Sequence, residues 1–145
     1  MHPDTLGCCV VAVIAGAAGG AFPDMDRLKW SRKSGRVNFD AIISLLFVVL
    51  AAAIGFMLDR VYGLDLLASL LRRPPAQLGG GLALLLVLYV TCLVTPHRSF
   101  SHSLLCAALL SLAVWLLYPS AWLPCAAGAV SHLALDLFNK KGMRL

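Results

Sequence analysis

Imidazole and carboxylate side chains able to bind a metal or move a proton gather at three places in this sequence. The first is Phe22-Pro23-Asp24-Met25-Asp26. The second is Pro96-His97-Arg98-Ser99-Phe100-Ser101-His102-Ser103, and the third is Ser131-His132-Leu133-Ala134-Leu135-Asp136. Three of the four histidines fall in these clusters, and His2 stands apart. His132 and Asp136 are four residues apart, so on a helix they share one face and can bind one ion together. His97 and His102 would diverge by about 140° on one continuous helix. They converge better with His97 in a loop, Ser101 as a helix cap and His102 opening the helix. The candidate metal ligands are therefore Asp24, Asp26, His97, His102, His132 and Asp136. Imidazole with carboxylate suits zinc, or manganese or iron where more oxygen is present. Six ligands exceed one tetrahedral ion; two ions, or one ion with outer carboxylates, would use them all.

The chemistry these groups suit is hydrolysis by water activated on a divalent cation. The chain contains no glutamate, so a general base must be an aspartate, with Asp24 and Asp26 the candidates. Arg98 can hold an anionic oxygen of a phosphate or carboxylate. The candidate catalytic residues are thus Asp24, Asp26 and Arg98. Ser99, Ser101 and Ser103 are weaker nucleophile candidates, because no GxSxG-type elbow surrounds them. Each cluster also has a plainer reading. Asp24 and Asp26 can be an interfacial turn with local ion pairs. His97 and Arg98 can contact lipid headgroups, and His132 with Asp136 can be one hydrogen-bonded pair stabilising a bundle.

These side chains must be carried by membrane helices. Of 145 residues, 60% are hydrophobic and only 13% charged, with a mean hydropathy of +0.85. A soluble domain has about 45–50% apolar and about 25% charged residues. Segments of span length are Leu6–Phe22, Ala41–Leu58, Leu78–Thr95, Ser103–Tyr118 and Ala121–Phe138. The first is rich in glycine, and the GxxxG spacing of Gly16 and Gly20 predicts close helix packing. It opens the chain as a signal peptide would, but Asp4 stands where a basic residue is expected, which favours a retained helix. The fourth and fifth form a tight hairpin about Pro119 and Ser120. Between the second and third, Leu64, Leu67, Leu70 and Leu71 recur at helical spacing before Pro74 and Pro75, predicting an amphipathic helix in the interface. The fold class is all-α, a polytopic bundle of four to five transmembrane helices in a single domain over residues 1–145.

The formal net charge of +5 does not point to nucleic acid, since the basic residues flank apolar runs and line no polar face. Alternate connections carry nine lysines and arginines on one side and three on the other. The positive-inside rule then places the N-terminus outside, the C-terminus in the cytoplasm and all three polar clusters at the inner face. Cys8, Cys9, Cys92, Cys106 and Cys125 lie within apolar runs with no CxxC pair, and read as small hydrophobes.

At the same three clusters the sequence resembles the YdjM-type bacterial inner-membrane proteins, described as membrane-bound metal-dependent hydrolases, some of them linked to LexA regulation. Pro23-Asp24-Met25-Asp26 matches the family's PDxD, and His97-Arg98-Ser99-Phe100-Ser101-His102-Ser103-Leu104 its HRxxTHSL. Ser131 to Asp136 with Gly142 matches SHxxxD…G. The motifs occur in order across most of the chain, and the middle one is the most specific. The resemblance implies hydrolysis assisted by metal on the matching Asp and His residues. A remote kinship with zinc-dependent phospholipase C and related nucleases points to phosphoester substrates, at the level of fold analogy only. Two departures stand out: Arg27 where many members have histidine, and Ser101 where threonine is usual. Members commonly continue past Gly142, which leaves room for a C-terminal truncation relative to the family.

The function expected is a membrane-bound metal-dependent hydrolase at the cytoplasmic membrane face, with zinc the first choice of one or two ions. Its partners are the lipid bilayer and a hydrolysable substrate of phosphoester or lipid-like kind, with no nucleic acid as direct ligand. A transport or proton-relay protein is the rival from another class, since paired Asp and His also make relays. A non-catalytic membrane interaction protein is the third reading, for which the GxxxG spacing and interfacial helix suffice.

Overall fold

The computed structural model describes residues 3–24, 39–95 and 100–138, and these are all helix and connection. Six α-helices follow in order: α1 Pro3–Ala21, α2 Phe39–Tyr62, α3 Leu66–Leu71, α4 Pro75–Val94, α5 Leu104–Leu117 and α6 Trp122–Phe138. Each of the five predicted spans is a helix, with boundaries shifted by a few residues. Thr5–Asp24, Pro75–Val94 and Pro119–Phe138 are each long and apolar enough to cross a membrane. The 24 residues of α2 also suffice in length. At 14 residues α5 is shorter, rising only about 21 Å.

Large side chains such as Val13, Leu46, Leu86, Leu104 and Leu135 face outward, and the buried set is built largely from small residues. Ala15, Cys92, Cys106, Ala121 and Cys125 form the main core with Phe22, Leu88 and Leu110. This inversion is what hydrocarbon demands. Lipid tails are as apolar as leucine, so burying leucine gains little, and helices associate instead through close backbone contact.

The closest approach joins α1 to α6. Gly16 faces the Pro124 carbonyl, Gly19 the Cys125 backbone and Gly20 the Gly128 carbonyl. The matched positions climb together, so the two helices run parallel and end at the same face. A Cβ on Gly19 would overlap the Cys125 carbonyl, and one on Gly128 would overlap the Gly16 carbonyl. Gly16 and Gly20 are thus half of the seam; Gly19 and Gly128 complete it.

Elsewhere the connections are short. Pro74 and Pro75 open α4, where a missing N–H costs nothing. A turn of 3₁₀ helix, Pro119–Ala121, joins α5 to α6. The interfacial helix predicted between Asp59 and Gln77 is reduced to the six residues of α3. Its start is set by Asp59, whose Oδ1 accepts from the Leu66 amide at 2.7 Å, after left-handed turns at Gly63 and Asp65. Ser69 donates to the Leu66 carbonyl at 2.8 Å and accepts from the Tyr118 hydroxyl at 3.3 Å, tying α3 to the end of α5.

Overlap with backbone has no side-chain rotamer to relieve it. Gly128→Ala is therefore expected to cost about 1–3 kcal/mol, read as a lowered unfolding temperature in detergent. Gly79→Ala, with nothing within 4 Å of the added methyl, is expected to show no such loss.

Candidate metal centre

The parallel seam carries its register one turn further. After Gly20 opposite Gly128 come Asp24 and His132, and they meet. Asp24 closes a 3₁₀ turn that follows α1, with Phe22 and Pro23 buried beneath it. On α6, Gly128, His132 and Asp136 recur every four residues, so the stripe that packs against α1 also carries the ligand candidates. His102 arrives from the turn before α5. There Ser103 caps the helix, its Oγ accepting from the Cys106 amide at 3.1 Å and donating to the Phe100 carbonyl at 2.7 Å.

This differs from the capping read in the sequence, which put Ser101 at the cap and His102 in the helix. Ser103 holds the extended backbone (φ −104°, ψ 150°) that lets its hydroxyl reach the third amide of the helix. Ser101 is left for another task. It is buried, and its Oγ lies 3.0 Å from His102 Nδ1. When that hydroxyl accepts from Nδ1–H, Nε2 keeps its lone pair toward the cluster, as a metal ligand requires.

Around His102 Nε2 the remaining groups close in. Asp136 Oδ2 is 3.1 Å away and Asp24 Oδ1 3.9 Å. His132 Nε2 lies 3.7 Å from the same Asp136 oxygen and 3.9 Å from Asp24 Oδ2. The two rings meet edge to face with centroids 5.6 Å apart. Ligand atoms of Asp24, His102 and His132 all fall within 4.8 Å of one another. Atoms bound at about 2.0–2.1 Å to a tetrahedral zinc lie about 3.4 Å from one another. The histidine–aspartate separations of 3.1–3.9 Å lie near that edge, and Asp24, His102 and His132 make up the group within reach of one cation, with Asp136 beside both rings.

Burial divides the cluster into floor and rim. The His102 side chain is 1% exposed and that of Asp136 11%, against 20% for Asp24 and 22% for His132. A cation here would be gripped from within the bundle and reached from the side of Asp24 and His132.

Four of the candidates, Asp24, His102, His132 and Asp136, are therefore brought together from three distant segments. Asp26, His97 and Arg98 lie outside the described residues. Nothing in the sequence singles out Ser101 as the partner of the His102 imidazole, nor Gly19 and Gly128 as the contacts that set the height of Asp24 against His132. The one hint of Gly128 is its place one helical turn before His132 in an otherwise apolar segment.

A hydroxyl that fixes a ligating imidazole is worth about 10–100-fold in metal affinity. Ser101→Ala is expected to weaken zinc binding on that scale, and Ser101→Thr to restore it, in a competition titration of detergent-purified protein.

A family model described as YdjM inner membrane protein matches residues 2–145. No curated protein and no solved structure matches the chain.

Proposed function

The chain belongs to the YdjM inner membrane protein family, and from that premise we propose that it is a metal-dependent hydrolase working at the cytoplasmic face of the inner membrane. The observation that carries this reading is the convergence of Asp24, His102, His132 and Asp136 at one end of the bundle. Ionisable groups at membrane depth are costly and are kept for function or for mutual pairing.

His102 and His132 would hold the cation through Nε2, with Asp136 beside both rings and Asp24 at the exposed rim. Zinc suits this nitrogen and oxygen set, with manganese or iron as alternatives. A bound cation would supply Lewis-acid polarisation and lower the pKa of a water it holds toward neutrality. Whichever of Asp24 and Asp26 is not taken up in holding the cation would accept the proton of the attacking water. The water oxygen bonds to the electrophilic centre, the ester bond breaks, and the departing oxygen takes up the proton. Arg98, four residues before His102 in the sequence, is the candidate to neutralise an anionic oxygen of a phosphate or carboxylate substrate.

A proton or ion pathway would place charged groups along the depth of the bundle. Among the described residues, aspartates, histidines and arginines sit only toward helix ends, which favours a site over a path. The inward orientation rests on the lysine and arginine distribution. A phosphatase reporter that works only outside the cytoplasm, fused after Leu145, is expected to be inactive.

The decisive measurement is elemental analysis of purified protein alongside a phosphoester substrate panel. Near-stoichiometric zinc or another first-row metal is expected, lost in the His102→Ala, His132→Ala double variant. Metal content unchanged by that double replacement would sink the assignment. Asp24→Asn is expected to lower turnover by about 10²-fold or more.

A further inference from the structure

The seam between α1 and α2 is built differently from the glycine seam on α6. Contact is pinched where Gly55 meets Ile14 and Val10. Beside the pinch the helices part around a groove of about 340 Å³, whose lining includes Val13, Ala17, Leu50, Ile54 and Leu58 and no polar side chain. Leu50 and Ile54 are about half exposed and Val13 more so, so the groove opens sideways, at the depth of the hydrocarbon.

Its dimensions select what can fill it. From Cys9 to Ala17 the axial rise is about 12 Å. A volume of 340 Å³ over that length gives a mean cross-section of roughly 28 Å², about a third of that of a helix some 10 Å across. A helix does not enter such a space, and an extended peptide would leave its backbone groups unsatisfied there. A single polymethylene chain meets neither objection.

Position along α1 then says where the other end of that chain lies. Val10 and Ala17 are seven residues apart on α1, which returns to nearly the same helix face after two turns, and Asp24 follows in the 3₁₀ turn at the end of that helix. Ala17 is about 12 Å along the axis from Asp24, four α-helical steps and three of 3₁₀. One leaflet of the hydrocarbon is about 15 Å thick. A lipid anchored with its headgroup at the height of the cluster therefore reaches the groove with its tail.

We propose that the α1/α2 groove seats an acyl chain of a bilayer phospholipid whose headgroup lies at the Asp24–His102–His132 cluster. The substrate class is then a membrane lipid phosphoester, taken from the leaflet sideways, with water the only co-reactant. The substrate half of this proposal rests on the hydrolase reading above; the seating of the chain does not.

The test uses the full chain in vesicles of phosphatidylethanolamine and phosphatidylglycerol, doped with a phospholipid bearing a diazirine midway along one tail. After illumination, labelled positions are read by peptide mass spectrometry. Label is expected to favour Val13, Ala17, Leu50 and Ile54 over Leu82, Leu86 and Val90 of α4, which are comparably exposed. The expected excess is about tenfold, the ratio given by 1.4 kcal/mol of preferential occupancy. Ala17→Phe and, separately, Ala51→Phe should abolish that excess. Even labelling of α1, α2 and α4 overturns the proposal, as does cross-linking of Leu50→Cys to a second copy in place of lipid. In turnover, Ala17→Phe should lose the long-chain phospholipid and keep a short-chain, water-soluble phosphodiester; equal loss of both overturns the substrate half. Zero turnover of every substrate by the unaltered protein ends the hydrolase reading, and the labelling pattern still decides the groove.

Discussion

Close backbone contact between α1 and α6 is the interaction on which the rest of this molecule depends. In water a helix pair is driven together by its apolar stripes, and small errors of register are absorbed by side chains. In hydrocarbon that drive is absent. What remains is dispersion between closely apposed surfaces, which falls off within an ångström of separation. Glycines at positions 16, 19, 20 and 128 remove the side chains that would hold the helices apart. Because the seam is backbone against backbone, it fixes the height of one helix against the other. That height is what sets Asp24 level with His132.

The polar cluster stands in a particular relation to that seam. Carboxylates and imidazoles are expensive at membrane depth unless paired. Here each ring lies within 3.9 Å of both carboxylates, at the end of the bundle where the penalty is smallest. The mixture of a sealed His102 and a partly open Asp24 gives the cluster a buried floor and an accessible rim. Ser101 adds a direction to the buried imidazole that packing alone would not give.

Much of this was legible in the residues, and the reasons are physical. Apolar runs of span length and isolated ionisable groups stand out because the bilayer tolerates so few exceptions. The three polar motifs could thus be assigned to one membrane face before any coordinates, and Asp24, His102, His132 and Asp136 do converge. Pairing between helices was less legible. Gly16 and Gly20 announce a tight interface, but nothing in their spacing says that Gly128 lies opposite them, since that depends on which helices neighbour one another. Local competition defeated two finer readings. Ser101 and Ser103 are both able to cap, and the choice turned on which held an extended backbone. The interfacial helix shrank because Asp59 captures the Leu66 amide and left-handed residues at Gly63 and Asp65 delay the first turn.

The seam also orders the protein's biosynthesis. Gly19 and Cys125 are more than a hundred residues apart in the chain, so their contact is among the least local the fold makes. Non-local contacts form late, because the intervening loop must first close. While the ribosome is still delivering the middle helices, Asp24 waits at the bilayer edge without His132 or Asp136. Until α6 inserts and locks beside α1, the cluster lacks His132 and Asp136, two of its four side chains. The cluster is therefore completed in one step, with the insertion of a single late helix.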